Sequence, residues 1–253
     1  NINFAVRSIK WPGVAAVDVS LITIFKGEWK IVRRLGKVPV KFISSYLDDE
    51  EGIGEPFTLN RNKGKSFQGS IVLGLGFTLT SEKAEELIKR TPKNKDVIFP
   101  YLNGDDLNSH PEQKPSRYVI NFFDWEEEYC KTNYPDCYEI ILEKVKPERT
   151  RLDADGKYVL RKPLPQKWWI YGEKRPGLYS AIKGKERVMV IAFTGKTFAF
   201  SFKKIDIVFD VGVIVINFEQ FSVFSILQSN LPYSWSWKHS STMGDNRLRY
   251  TAT

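Results

Sequence analysis

Cysteine and histidine are scarce in this chain of 253 residues, which holds two of each. Cys130, Cys137, His110 and His239 are too few to assemble a zinc site with ordinary ligand spacing. Nothing beside either cysteine resembles an activated nucleophile, so we expect two free thiols, with a disulfide as the alternative. The sequence therefore predicts no metal site and no catalytic residue.

Long hydrophobic runs and a signal peptide are also lacking. The longest apolar stretch, residues 205–218, is shorter than a membrane span and carries Asp206 and Asp210. The sequence therefore predicts no membrane partner. Because the chain opens at Asn1 without methionine and closes at Thr253 without a helix end, we expect both ends to lie within a longer protein.

Positive charge is in moderate excess, with 38 Lys and Arg against 30 Asp and Glu and a net charge of +8. Such a surplus favours a polyanionic partner, since cations that neutralise phosphates release counterions. The excess is concentrated in residues 141–175, which hold ten basic and five acidic residues. We predict that this basic stretch faces DNA, and the alternative is an ordinary solvated helix face and loop. Its candidate contacts are Lys144, Lys146, Arg149, Arg151, Arg161, Lys162, Lys167, Lys174 and Arg175.

Hydrophobic periodicity predicts an α+β fold, with a mixed, largely antiparallel sheet and packed helices. Residues 1–27 read as two strands around a turn at 11–13, and the apolar run 17–24 is typical of a strand covered on both faces. Further strands are expected at 67–79, 117–125, 187–193, 197–204 and 205–217. Helices are expected at 81–90, capped by Ser81, from Pro135 onward, and at 220–229.

The helix from Pro135 places its apolar residues at helical spacing, and these are Cys137, Ile140, Ile141 and Val145. Four aromatic residues in apolar surroundings are assigned to the core rather than to base stacking, namely Trp125, Trp168, Trp169 and Tyr171.

Other polar residues are candidates for DNA contact outside the basic stretch. Asn103, in the turn sequence Asn-Gly-Asp-Asp, could bond phosphate or base, or could simply build the turn. Arg117 begins a strand and could hold phosphate or the neighbouring carboxylates. The remaining candidates are Lys203 and Lys204, expected between two strands, and Ser240, Ser241, Arg247 and Arg249, expected to clamp the DNA backbone.

Two short motifs imitate a methyltransferase. GLGF at 74–77 lies where a cofactor loop would lie, and NLPY at 230–233 is one residue from an Asn-Pro-Pro-Tyr signature. No strand ending in an acidic residue follows GLGF at the distance needed to hold a ribose, and NLPY has one proline and follows a helix. We interpret the first as a glycine-rich strand end and Pro232 as the end of a helix.

Several long segments together resemble a single protein family. They are FAVRSIKWPGVAAVDVSLI (4–22), DVIFPYLNGDDLNSHPEQKPSRYVINFFDW (96–125) and, further along the chain, residues 134–149, 168–182, 227–235 and 240–251. In this order they resemble the MmeI-like Type IIL restriction–modification enzymes, most strongly at 96–125. The first segment is similar to a late strand pair of the methyltransferase domain of that family.

The resemblance implies a target recognition domain that reads duplex DNA for a bacterial, cytoplasmic adenine methyltransferase. The parent enzyme would use S-adenosylmethionine to methylate a flipped-out adenine, and magnesium for DNA cleavage, while this fragment would need no cofactor. Residues 1–28 would then close the methyltransferase domain, an expected partner, and 29–253 would form the recognition domain, with a division between two lobes near 150–185. Two alternatives remain open: a complete but atypical methyltransferase, and a non-catalytic basic docking module.

Overall fold

The computed structural model describes residues 1–15, 17–50, 57–243 and 246–252. The chain divides into two compact units. The first holds the described residues of 1–59 and 242–247, and the second holds those of 60–241 and 248–253. This division does not test the expected methyltransferase boundary after residue 28 or the division near 150–185, and both stay predictions.

The first unit is a four-stranded sheet in the order β2-β1-β3-β4. Its strands are β1 (Ile2–Lys10), β2 (Asp18–Ile24), β3 (Arg33–Leu35) and β4 (Val38–Val40). The antiparallel hairpin of β1 and β2 confirms the first predicted strand pair. The unit has a small core built on Ala5 with Ile43 and Leu47.

The prediction that the apolar run 17–24 is covered on both faces is wrong for this unit. Leu21 is 53% exposed and Ile24 is 75% exposed. Six of the seven residues of β2 are exposed, and the buried side chain of this hairpin, Ala5, belongs to β1. An apolar sequence pattern shows that a strand can be packed on both faces, but the segments that pack on it come from other parts of the chain.

The second unit combines two four-stranded sheets, a short two-stranded ladder and eight described helices. Its strands are β5 (Ser66–Gln68), β6 (Thr78–Leu79), β7 (Ile98–Leu102), β8 (Arg117–Ile120), β9 (Arg187–Ala192), β10 (Thr194–Gly195), β11 (Ser201–Lys204), β12 (Val208–Phe209), β13 (Val213–Ile216) and β14 (Leu248–Arg249). Its helices are α1 (Ser81–Arg90), α2 (Gly104–Ser109), α3 (Glu127–Asn133), α4 (Pro135–Lys144), α5 (Lys146–Arg149), α6 (Pro176–Ile182), α7 (Phe221–Leu227) and α8 (Asn230–His239).

One sheet of the second unit is mixed and the other is antiparallel. The mixed sheet has the order β12-β7-β8-β6, with only β12 and β7 parallel. The antiparallel sheet has the order β11-β9-β13-β5. The predicted strand 205–217 is therefore two strands, because β12 and β13 belong to different sheets. The predicted α+β class, with largely antiparallel pairing, is confirmed.

The antiparallel sheet is covered on both faces, because successive side chains of a strand point to opposite sides. Val188 and Val190 of β9 pack in one cluster with Leu178 of α6. Met189 and Ile191 lie in a second cluster, against which α7 and α8 pack. The mixed sheet is covered by α1, α3 and α4 in a third cluster. Among the described residues, no helix is long and apolar enough to cross a membrane.

Three local predictions need correction. The strand expected at 67–79 is interrupted, because Leu73 and Gly74 have positive φ values of 56° and 124°. Thr80, not Ser81, caps α1, and its hydroxyl accepts a hydrogen bond from the Lys83 amide. Pro232 lies in the first turn of α8 rather than after a helix, where its missing N–H costs no helical hydrogen bond.

Candidate nucleic-acid interface

Most of the predicted basic stretch forms the outer surface of α4, α5 and the loop that follows. Six of its predicted DNA contacts are exposed, namely Lys144, Lys146, Arg151, Arg161, Lys162 and Lys167, and so is the neighbouring Lys157. The Lys146 ammonium lies 5.1 Å from the centre of the Trp168 ring, which is otherwise buried. This cation–π contact holds the Lys146 side chain against the ring. The structure thus brings six of the nine predicted cations onto one exposed segment.

The loop after α5 is closed by its own backbone. Leu152 bridges Tyr158, and the Val159 amide donates to the Arg151 carbonyl at 3.0 Å. Residues 151–159 are all exposed. The loop therefore projects as a short hairpin-like tip, beside which Arg161 and Lys162 stay open to solvent.

Arg149 is the exception in the basic stretch, because its side chain is only 1% exposed. Its guanidinium donates to the carbonyls of Val72 at 2.7 Å and Leu73 at 2.8 Å, and also to those of Trp168 and Ile170. The planar fork of arginine suits several acceptors at once. Arg149 therefore joins three chain segments, and its predicted DNA contact is corrected to a structural role.

The surroundings of Arg149 explain how a buried cation is tolerated. Burial lowers the pKa of Arg149 to about 10, opposed by the charge of Glu148, and the group stays protonated at neutral pH. The guanidinium also lies 5.0 Å from the centre of the Phe77 ring. Carbonyl dipoles and an aromatic face thus replace the water that the cation lost.

Lys174 and Arg175 lie on the segment after Tyr171, and both already have protein partners. Lys174 pairs with Asp124. Arg175 pairs with Glu173 at 2.8 Å and donates to the Gly69 carbonyl at 3.4 Å. Both side chains are partly buried, so these two cations are less available than those of α4 and α5.

The four aromatic residues assigned to the core lie in or against it. Trp168, Trp169 and Tyr171 are at most 7% exposed, and Trp125 packs against the same cluster. Two of them have their polar atoms satisfied inside, since Trp169 donates to the Trp125 carbonyl at 2.9 Å and Tyr171 to the Ile120 carbonyl at 2.9 Å. The buried Trp168, Trp169 and Tyr171 cannot stack on bases without unfolding the core.

Asn103 caps a helix. Its Oδ1 accepts hydrogen bonds from the amides of Asp105 and Asp106, and Asp106 accepts in return from the Asn103 amide. This capping box occupies the side-chain oxygen, so Asn103 cannot offer the paired acceptor and donor that read adenine. Asn103 therefore builds the turn, as the alternative interpretation had it, and its contact with phosphate or base stays a prediction that only its Nδ2 group can serve.

An open cleft of about 580 Å³ lies beside Asn103. Its lining includes the strap (residues 71–75), Thr78, Tyr101, Asn103, Arg117, Glu148, Asp210 and Val211. Arg117 is exposed at the start of β8, opposite Tyr101 in the strand register. No hydrogen bond or ion pair holds its guanidinium within the described parts of the chain, and it does not pair with the carboxylates of the α2 turn.

Asp210 lines the cleft and is held by two hydrogen bonds. It accepts hydrogen bonds from the Tyr101 hydroxyl and from the Gly212 amide, the latter at 2.7 Å. Burial, with a further contribution from the Asp210 charge, raises the pKa of Tyr101, so this hydroxyl stays a donor. A carboxylate has about four acceptor positions, which leaves Asp210 able to accept further bonds.

The strap was not foreseen as part of a site. The left-handed φ of Leu73 is held by Arg149, which binds the Leu73 carbonyl, and Leu75 projects with 76% of its surface exposed. Gly76 packs against α4 so closely that a Cβ atom would lie 2.7 Å from Lys144 and Val145. The glycines of GLGF therefore serve a turn and helix packing rather than the approach of a cofactor.

Lys203 and Lys204 lie within β11, not between two strands as expected. Lys204 is exposed, whereas Lys203 is partly buried. Desolvation lowers the pKa of Lys203, and the negative charge of Asp106 opposes this shift. Because β11 is an edge strand of the antiparallel sheet, Lys204 is the better placed of the two to meet a ligand.

The C-terminal candidates are separated between the two units. Ser240 ends α8 and is partly buried, and Ser241 is exposed. Arg249, on β14, places its guanidinium 4.9 Å from the centre of the Phe193 ring. Arg247 is exposed and belongs to the first unit. Contact of these four residues with the DNA backbone stays a prediction.

The cysteines are free, as predicted, and both are buried. Burial raises the pKa of both Cys130 and Cys137 to about 12, which makes either thiol a poor nucleophile at neutral pH. In the described part of the chain, no three His, Cys, Asp or Glu side chains meet in a way that could hold a metal ion.

No protein-family profile matches the chain, and no curated protein matches its sequence. Among solved structures, the fold is similar to part of a Type IIL restriction–modification enzyme. That enzyme is MmeI in complex with DNA, with a TM-score of 0.67 and 17% sequence identity over 99% of this chain and 34% of that chain. This chain thus spans about a third of the length of that structure, and the resemblance noted in the sequence extends to the fold.

Proposed function

We propose that this chain recognises a specific sequence in duplex DNA, as the target recognition part of a bacterial restriction–modification adenine methyltransferase. The observation that carries the proposal is the similarity of nearly the whole chain to part of MmeI, a structure solved with DNA. The exposed cations from Lys144 to Lys167 support it, because cations that neutralise phosphates supply the sequence-independent part of DNA affinity.

Catalysis is assigned to other parts of the parent enzyme. S-adenosylmethionine would bind outside this chain, and the parent would transfer its methyl group to a flipped-out adenine. The methyltransferase domain is accordingly the expected protein partner, with residues 1–28 as its final strands. Magnesium would serve DNA cleavage in the parent enzyme. The chain itself supplies phosphate contacts and base readout.

The test is selection from a pool of random DNA duplexes by the 253-residue chain, at low and at moderate salt. We expect one short motif to be enriched, with affinity that falls linearly on a log–log plot against salt. Retention of no duplex at low salt would contradict the proposal. Binding of S-adenosylmethionine, measured by calorimetry on the same sample, would favour a complete methyltransferase instead.

A further inference from the structure

The cleft beside the strap has a charge balance unlike that of the outer surface of α4 and α5. Glu148 and Asp210 contribute two carboxylates to its lining, and Arg117 contributes one cation. The exposed residues from Lys144 to Lys167 include seven cations and three carboxylates. A phosphate would therefore be attracted to the outer surface and opposed by the carboxylates of the cleft.

The edges of DNA bases present hydrogen-bond donors, acceptors and methyl groups, so they match a cleft that is lined by a cation, carboxylates and apolar side chains. Arginine donates to guanine, a carboxylate accepts from the amino group of cytosine, and an apolar side chain packs against the methyl group of thymine. Arg117 and Glu148 are both exposed, and the carboxylate of Asp210 has acceptor positions left beyond its bonds to Tyr101 and Gly212. Each of these three side chains can therefore form hydrogen bonds with an uncharged group such as a base edge.

The strap adds an apolar contact that is held in place before any ligand arrives. Leu75 is 76% exposed and Leu73 is 42% exposed, although both belong to a segment anchored to the core. The anchor is Arg149, which binds the carbonyls of Val72 and Leu73, and the Thr78 hydroxyl also donates to the Leu75 carbonyl at 2.7 Å. Because few conformations are lost on binding, such a loop suits specific contact.

From these observations we infer that the cleft and the strap read base edges, through Arg117, Glu148, Asp210 and Leu75, whereas the outer cations bind phosphates. This inference rests on the proposed function and assigns its two components to different residues. Arg117 has no protein partner among the described residues, so it donates to a guanine, and Leu75 contacts a base edge or its methyl group.

The experiment repeats the duplex selection with single variants of the 253-residue chain. In the cleft these are Arg117→Ala, Glu148→Gln and Leu75→Ala, and on the outer surface Lys167→Ala. Leu231→Ala is the matched control for Leu75→Ala, because Leu231 is 82% exposed on α8 and lies outside the cleft. Unfolding curves of all variants verify that each is folded.

Cleft variants should lower the preference for one base of the motif by about fivefold or more, with an unchanged slope of affinity against salt. Lys167→Ala should weaken binding to all sequences alike and reduce that slope by about one. Leu231→Ala should leave both motif and slope unchanged.

Two results would overturn the inference and leave the proposed function standing. In the first, the cleft variants keep the wild-type motif and lose salt dependence, which would make the cleft a phosphate site. In the second, they keep both motif and affinity. A wild-type chain that retains no duplex would overturn both proposals together, so the two failures are distinguishable.

Discussion

The inner and outer faces of the segment from α4 to α5 both carry a basic side chain, but it is buried on the inner face and exposed on the outer face. The inner face carries Cys137, Ile141, Val145 and Arg149, spaced by four residues and each at most 1% exposed. The outer face carries Lys144 and Lys146, both exposed. Lys144, Lys146 and Arg149 are all cations and lie close together in the sequence. Only Arg149 lies at the helical spacing of the buried residues, so its side chain points into the core.

This difference shows that a count of cations does not define a DNA-binding face. Side chains four residues apart lie on the same side of a helix, so the buried stripe that starts at Cys137 continues to position 149. A cation on that stripe is held by carbonyls and contributes to stability. A cation off the stripe remains free to bind phosphate.

The largest expected effect is the loss of the inner cation. Arg149→Ala should lower the free energy of unfolding by about 3–5 kcal/mol, because it leaves buried carbonyls without donors and creates a cavity. Arg149→Lys should recover only part of this loss, because an ammonium lacks the planar fork. Urea unfolding measures both. The exposed neighbour Arg151 provides the control, since Arg151→Ala should change stability by no more than about 0.5 kcal/mol.

A smaller effect is expected from the inner thiol at high pH. The pKa of Cys137 is raised from 9.0 to about 12 in the folded chain, so the native state retains a proton that the unfolded chain releases. The corresponding stability is fully present below pH 9 and is lost as the pH rises toward 12. In that window Cys137→Ala should make the fall in unfolding free energy shallower by up to about 1.4 kcal/mol per pH unit. An unchanged slope would place the thiol in contact with solvent.

The smallest effect on stability is expected on the outer face. The double variant Lys144→Ala and Lys146→Ala should change the free energy of unfolding by less than about 1 kcal/mol, because exposed cations contribute little to folding. Its DNA affinity should fall for every sequence, and the slope of affinity against salt should decrease by about two. Lys131→Ala, an exposed lysine on α3, serves as the control for general charge loss. A large loss of stability in the double variant would contradict the assignment of the two faces.

Much of the candidate surface could be predicted from the sequence because helix periodicity and charge are local properties. The start of α4 at Pro135 and its buried residues Cys137, Ile141 and Val145 were predicted, as was the concentration of cations after Glu143. The burial of Arg149 could have been predicted from the same period. A charged residue at the helical spacing of buried apolar residues indicates that its hydrogen-bond partners lie within the core.

The cleft could not be predicted, because its members are distant in the sequence. Leu75, Arg117, Glu148 and Asp210 come from four separate segments, and only the packing of α5 and the strap against the mixed sheet brings them together. The same limit explains the apolar strand β2, whose sequence resembles that of β9. Covering helices lie on both faces of β9, whereas β2 is an edge strand with most of its side chains exposed.

The sequence by itself determined the α+β class, the positions of helices α1, α4 and α7, the aromatic core and the basic character of residues 141–175. These follow from periodicity, turn residues and charge, which act over a few positions of the chain. Tertiary structure alone decided which polar groups meet at Arg117 and which apolar strand is covered. Those outcomes depend on contacts between segments far apart in the chain, and no local pattern specifies them.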